Sequence, residues 1–138
     1  MRIDAFVTMI SCERLWDIER EIPAPLHVIV NVDILAFDEK AEGSVQFPFL
    51  FTVNFVPAVA QISMRGQVTL QGDRDEVQKI LREGAEQKMS PAPVIRAVTE
   101  TGLAEAILVA KTIGIPPPLP SIRPLTAEAP AKKQSQYM

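Results

Sequence analysis

The chain has 138 residues, of which 47% are hydrophobic and 22% charged, and its formal net charge is −3. This length and composition predict a single globular domain, since most domains have about 100 to 150 residues. The acidic excess argues against nucleic-acid binding, no apolar run approaches the roughly 18 residues of a membrane span, and the single cysteine excludes an intramolecular disulfide. Asp4 stands where a signal peptide would be basic, so we expect a cytoplasmic protein. From the acidic charge and the short apolar runs we expect no nucleic-acid partner and no membrane insertion.

The first 37 residues predict two strands. Residues 2–16 are rich in β-branched and apolar types, and they predict a first strand that ends or is interrupted near residues 12–16. After two prolines, residues 26–37 predict a second strand with an apolar residue at every even position. The odd positions of this run include Ile29, Leu35 and Phe37, so both faces of the strand are partly apolar.

The clearest pattern is the period-two alternation in residues 45–70, which predicts two paired antiparallel strands with one buried face. A polar segment with a glycine, residues 38–44, predicts a turn before them. Pro48 predicts an edge position or a bulge, because proline donates no ladder hydrogen bond. The apolar positions are Val45, Phe47, Phe49, Phe51, Val53 and Phe55 in the first run and Ala60, Ile62, Met64, Gly66, Val68 and Leu70 in the second.

Beyond Gly72 the apolar period becomes that of a helix. Asp73 or Asp75 suits the N-cap of a first amphipathic helix, which we expect to reach about Lys88. A proline-containing break precedes a second helix that is predicted to end near residue 113, and Gly114 suits its C-cap. The elements together predict an α+β fold, a four-stranded antiparallel sheet followed by two helices packed on one face.

No motif indicates catalysis, and we expect no enzymatic activity, no cofactor and no metal. His27 is the single histidine and has no partner nucleophile or acid in a motif, although an enzyme with a nonstandard site near it remains an alternative. Cys12 lacks an electropositive context and is expected to be a small apolar core side chain. The acidic pairs at positions 19 and 21 and at 38 and 39 lie in polar turns, and the glycines do not form a phosphate loop.

If the helices cover one face of the sheet, apolar side chains on the other face stay exposed. The aromatic positions of the third strand are interpreted as core, whereas an exposed apolar patch usually marks a surface for another polypeptide or a second copy. The spacing of Pro117 and Pro120 also matches a proline-motif ligand, but an extended segment that follows a helix more often packs on its own domain. The residues of the predicted patch are Ile29, Leu35, Phe37, Leu50 and Val56.

The order of the predicted elements resembles that of the SecB-like export chaperones and their small archaeal and toxin-linked relatives. Residues 60–72, AQISMRGQVTLQG, are similar to the third-to-fourth strand region that precedes the first helix in that family. Residues 103–120, LAEAILVAKTIGIPPPLP, are similar to its final helix and the extended segment that follows. The resemblance covers roughly residues 2–124 and predicts one SecB-like domain over 1–124 with a flexible tail over 125–138.

The resemblance implies a homo-oligomeric, ATP-independent holdase that binds unfolded polypeptides through apolar sheet and helix surface, as the export chaperones do in protein transport. It makes the residues of the predicted patch candidates for client or subunit contact, with Leu119 and Ile122 as a flap. The alternative is a non-enzymatic structural or assembly subunit that uses the same surface for one dedicated protein partner.

Overall fold

The computed structural model describes residues 1–41 and 43–118. They form β1 (Arg2–Arg14), β2 (His27–Ile34), β3 (Asp38–Ala41), β4 (Ser44–Val56), β5 (Ala60–Gln71), α1 (Arg74–Glu86) and α2 (Ala92–Thr112). All strands belong to one antiparallel sheet with the order β1-β5-β4-β2, and β3 pairs with β4. The predicted α+β class with an antiparallel sheet and two helices is therefore confirmed, and the predicted number of four strands is corrected to five.

The additional strand, β3, lies where the sequence predicted only a polar turn. It forms a short hairpin with the start of β4, and all four of its residues are exposed. Gly43 closes this hairpin with φ at 78°, a backbone region that favours glycine. The Gly43 carbonyl accepts a hydrogen bond from the N–H of Gly72 at 3.0 Å, which ties the hairpin to the end of β5.

The two faces of the sheet differ sharply in burial. Every odd position of 45–55 in β4 and every even position of 60–70 in β5 is buried, as the alternation predicted. Both helices lie against this face, where α1 buries Val77 and α2 buries a stripe of small residues. The opposite face, which we call the open face, carries neither helix. The buried stripe of α2 consists of Val94, Val98, Gly102, Ala106 and Ala110.

Pro48 occupies a local edge inside the central strand β4. Its carbonyl accepts a hydrogen bond from the N–H of Leu35 at 2.8 Å. Because the N–H and C=O of one strand residue point to the same side, the donor that proline lacks would face this same edge. There β2 has ended at Ile34 and β3 does not begin until Asp38, so the missing donor falls in the gap between two strands.

Arg14 joins the end of β1 to the end of α2. Its half-buried guanidinium donates to backbone carbonyls of the loop that follows β1 and to two carbonyls just beyond α2. A cation at a helix C-terminus also interacts favourably with the helix dipole. The acceptors are Trp16 at 2.9 Å, Asp17 at 3.1 Å, Ile18 at 3.5 Å, Ile113 at 3.3 Å and Gly114 at 2.8 Å.

We expect Arg14→Ala to lower the free energy of unfolding by about 2 kcal/mol, since hydrogen bonds from a charged donor contribute about 1.5 to 3 kcal/mol. Urea denaturation followed by circular dichroism measures the change. Arg65→Ala is the control, because Arg65 is an exposed arginine of β5; we expect it to change stability by less than about 0.5 kcal/mol. Equal stability of the two variants would contradict the joining role of Arg14.

Candidate functional site

A groove of about 360 Å³ opens between the β2–β3 connection and the C-terminal end of α1. We call it the α1 groove. Apolar side chains form both of its walls, and Lys88 is the charged residue among those that line it. The main apolar residues are Leu35, Phe37 and Phe47 on the sheet side and Leu81, Met89 and Pro91 on the helix side.

Large apolar side chains of the α1 groove remain open to solvent. Leu35 is 57% exposed, Phe37 is 46% exposed and Met89 is 54% exposed. The ring of Phe37 packs at a tilt of 50° on the buried ring of Phe47, with 5.5 Å between their centroids. One side of Phe37 is therefore held by the core while the rest faces the groove. Exposed apolar surface of this kind commonly marks an interaction site.

The walls of the groove are positioned by local backbone structure. On the helix side, α1 ends in a tight turn in which the Met89 N–H donates to the Gly84 carbonyl at 3.1 Å, and Lys88 has φ at 55°. A Cβ at position 84 would lie 3.0 Å from the Met89 carbonyl oxygen and 3.2 Å from the Pro91 ring, so glycine permits this close return of the chain. On the sheet side, the hydrogen bond from Leu35 to Pro48 holds the chain after β2 ends.

A second depression, of about 520 Å³, lies beside the groove on the sheet. Leu35 lines both, and the second depression also includes Pro48 and Leu50. In the pairing of the strands, Leu50 of β4 lies between Asp33 of β2 and Arg65 of β5. This part of the surface therefore combines a half-buried leucine with charges of both signs.

Ile29 and Val56 form a separate patch at the other end of β2 and β4. Ile29 pairs with Asn54, so Val56 is its diagonal neighbour on the open face, and the two are 47% and 48% exposed. Since a strand rises about 3.3 Å per residue, this patch lies about 20 Å from Leu35. Polar residues, among them Asn31 and Thr52, occupy the intervening surface.

The structure thus divides the predicted contact residues between two surfaces. Leu35, Phe37 and Leu50 lie at or beside the α1 groove, and Ile29 and Val56 lie at the distant patch. Leu119 and Ile122 lie outside the described residues. A contact with client or subunit remains a prediction for all seven, as does the division into a domain over 1–124 and a tail over 125–138.

Residue patterns alone did not reveal the helix-side wall of the groove. Leu81 of α1 is half-buried against the core and also lines the groove. Met89 lies between two helices, where neither the strand nor the helix period applies. The feature that forms this wall is the tight turn after Gly84. Only the folded chain shows that this turn faces the β2–β3 connection.

The residues considered for catalysis are dispersed. His27 is exposed on the open face, where it pairs with Val56, and Cys12 is half-buried against the core from β1. In residues 1–41 and 43–118, no group of three or more His, Cys, Asp and Glu side chains is arranged to hold a metal ion.

Neither helix of the described chain has the length and apolar character needed to cross a membrane. In the proline-rich segment Ile115 and Pro118 are buried, Pro116 and Pro117 are exposed, and Pro120 lies outside the described residues.

The antiparallel sheet with two helices on one face is similar in fold to a solved SecB-like chaperone. A solved structure with this fold is the SecB-like chaperone Rv1957 of Mycobacterium tuberculosis, in complex with a ChAD peptide from the antitoxin HigA1 (Rv1956). The TM-score is 0.64 at 13% sequence identity, and the similarity covers 88% of this chain and 90% of that chain. The predicted resemblance is therefore supported at the level of the fold, and its archaeal part has no support.

Comparison at the level of sequence adds nothing to this. No protein-family model and no curated protein matches the chain.

Proposed function

We propose that this protein is a non-enzymatic, ATP-independent holdase that binds unfolded polypeptides through the α1 groove and the adjoining open face. The observation that carries the proposal is the half-exposure of Leu35, Phe37 and Met89 around one groove. The similarity in fold to a chaperone that was solved with a bound peptide supports it.

The energetics of the groove suit a weak and unselective binder. Fully burying a large apolar side chain contributes about 1.5 to 3 kcal/mol, so covering the exposed halves of three such side chains contributes on the order of 3 kcal/mol. Apolar contacts are non-directional and do not demand one sequence. Such a groove holds many non-native segments briefly, as a holdase must.

We further infer that the protein acts in the cytoplasm as a homo-oligomer and that its clients include proteins on their way to export. Self-association is supported by apolar surface away from the groove, since Phe6 and Ile10 of the edge strand β1 are 58% and 40% exposed. Chain mass in solution, measured by light scattering, tests the oligomer. A monomer at micromolar concentration would contradict it.

A second candidate function is the binding of one dedicated protein partner. The observation that favours it is that the Mycobacterium tuberculosis chaperone was solved with a peptide from one particular antitoxin. A dedicated subunit would use the same groove, but it would recognise a single sequence and ignore other unfolded chains.

Aggregation of chemically denatured citrate synthase and of a second, unrelated denatured protein tests the proposal. We expect a several-fold excess of this protein, without ATP, to suppress light scattering by both. Protection of neither would remove the holdase function, and binding restricted to one partner would establish the alternative.

We expect His27→Ala to protect as well as the wild type, whereas loss of protection would revive a role for the histidine.

A further inference from the structure

We propose that Met89 is an oxidation site that regulates the α1 groove: oxidation of its thioether to the sulfoxide closes the groove to clients. The inference rests on the proposed function, because the groove must bind polypeptide for its closure to matter. It adds a modification site and a form of regulation that the holdase proposal does not contain.

Met89 is placed where an oxidant reaches it and where its chemistry matters. Its side chain is 54% exposed and lines the groove together with Leu35 and Phe37. The backbone of the residue is held by the hydrogen bond to Gly84 and by the proline two positions later. The backbone at Met89 is therefore held beside the groove.

The other methionines of the described chain are in different positions. Met64 is fully buried in the sheet and shielded from solvent. Met1 is 47% exposed but lies beside Gly72 at the chain terminus, and Met9 is half-buried on β1. Among the described methionines, Met89 alone is both exposed and part of the groove.

The chemical step requires a two-electron oxidant such as hydrogen peroxide. The O–O bond breaks, one oxygen forms an S–O bond with the Met89 sulfur, and the other leaves as water. The sulfur is oxidised from sulfide to sulfoxide while the peroxide is reduced, and the reaction is reversible by enzymes that reduce methionine sulfoxide.

The product weakens client binding because it changes the polarity of the groove wall. The thioether is an adaptable apolar surface, whereas the sulfoxide oxygen is a strong acceptor that water solvates. A client segment that covers Met89 would strip this water, and most of the groove residues around Met89, apart from Lys88 and Ser90, have apolar side chains that offer no donor. Burial of an unpaired polar group is unfavourable.

The experiment measures binding of fluorescein-labelled, reduced and carboxymethylated α-lactalbumin by fluorescence anisotropy before and after mild peroxide treatment. Mass spectrometry of peptic fragments records oxidation at each methionine, and circular dichroism checks the fold. We expect oxidation of Met89 to raise the dissociation constant about tenfold, which corresponds to about 1.4 kcal/mol. The affinity of Met89→Leu after peroxide, compared with the affinity of the same variant before peroxide, should be unchanged, while Met9→Leu should stay sensitive.

The remaining outcomes distinguish failure of the inference from failure of the proposed function. Unchanged binding by wild type whose Met89 is fully oxidised, or equal loss of affinity in Met89→Leu, would overturn the inference and leave the holdase intact. Absence of binding before any oxidation would remove the proposed function itself. As a second readout, we expect saturating client to slow oxidation of Met89 and not that of Met1; equal rates at Met89 with and without client would contradict the inference.

Discussion

Gly66→Ala is expected to lower the free energy of unfolding by about 3 kcal/mol, the upper part of the usual range for overpacking. Gly66 lies in β5, where its backbone is covered by the ring of Phe49 and approached by the carbonyl oxygen of Phe6. A Cβ would lie 2.7 Å from the nearest Phe49 ring atom and would overlap the Phe6 oxygen. That oxygen belongs to the backbone of β1, just before the irregularity between Val7 and Met9, so a side-chain rotation cannot relieve the overlap. The edge strand itself must move.

The matched control is Gly72→Ala, six residues further along the same segment. There a Cβ would lie 3.2 Å from Met1, a terminal residue that can shift, so we expect a change below about 1 kcal/mol. Urea denaturation of both variants gives the difference in stability, and amide hydrogen exchange shows whether β1 loses protection first. If Gly66→Ala were as stable as the Gly72→Ala control, the packing of β1 would not require the absence of a Cβ at position 66.

The alternation that revealed the sheet worked because one face of it is buried. In β4 and β5 the apolar positions of the two runs are all buried, and the positions between them are half-buried or exposed. β3 gave no such signal, since Asp38, Glu39 and Lys40 are poor strand formers and none is buried. That strand exists because Gly43 turns the chain back onto β4, and a turn of this kind determines a pairing without any apolar pattern.

The candidate site was predictable in composition but not in shape. Ile29 and Val56 were assigned to an uncovered face by their strand positions, and the structure leaves both about half exposed. Phe37 was predicted to lie on the second strand together with Ile29. It lies instead beyond the end of β2 at Ile34, and it faces the groove. The groove depends on the meeting of two connections that are about 50 residues apart in the chain, and only packing of α1 brings them together. No local periodicity contains that information.

Replacing Leu35 and Phe37 together by serine is expected to weaken binding of unfolded polypeptide about tenfold or more. The two side chains are 57% and 46% exposed, so a client covers about half of each, and losing that burial removes about 2 kcal/mol of contact. The fold should survive, because the main native contact that is lost is the tilted packing of the Phe37 ring on the Phe47 ring, which contributes about 0.5 to 1.5 kcal/mol. Anisotropy with the same labelled α-lactalbumin measures affinity, and urea denaturation confirms the folded state of the variant.

The control for this double variant removes equal numbers of exposed apolar side chains from elsewhere. Leu15 is 47% exposed and Ile18 is 85% exposed, and neither lines the α1 groove. The Leu15→Ser, Ile18→Ser protein should therefore keep its affinity, since general surface hydrophobicity falls in both variants but the groove changes in one. Equal weakening in both would show that clients adhere to apolar surface wherever it occurs, and the groove would then have no special role. A selective loss would make the meeting of α1 with the β2–β3 connection the structural basis of binding, because that meeting is what gathers these side chains on one surface.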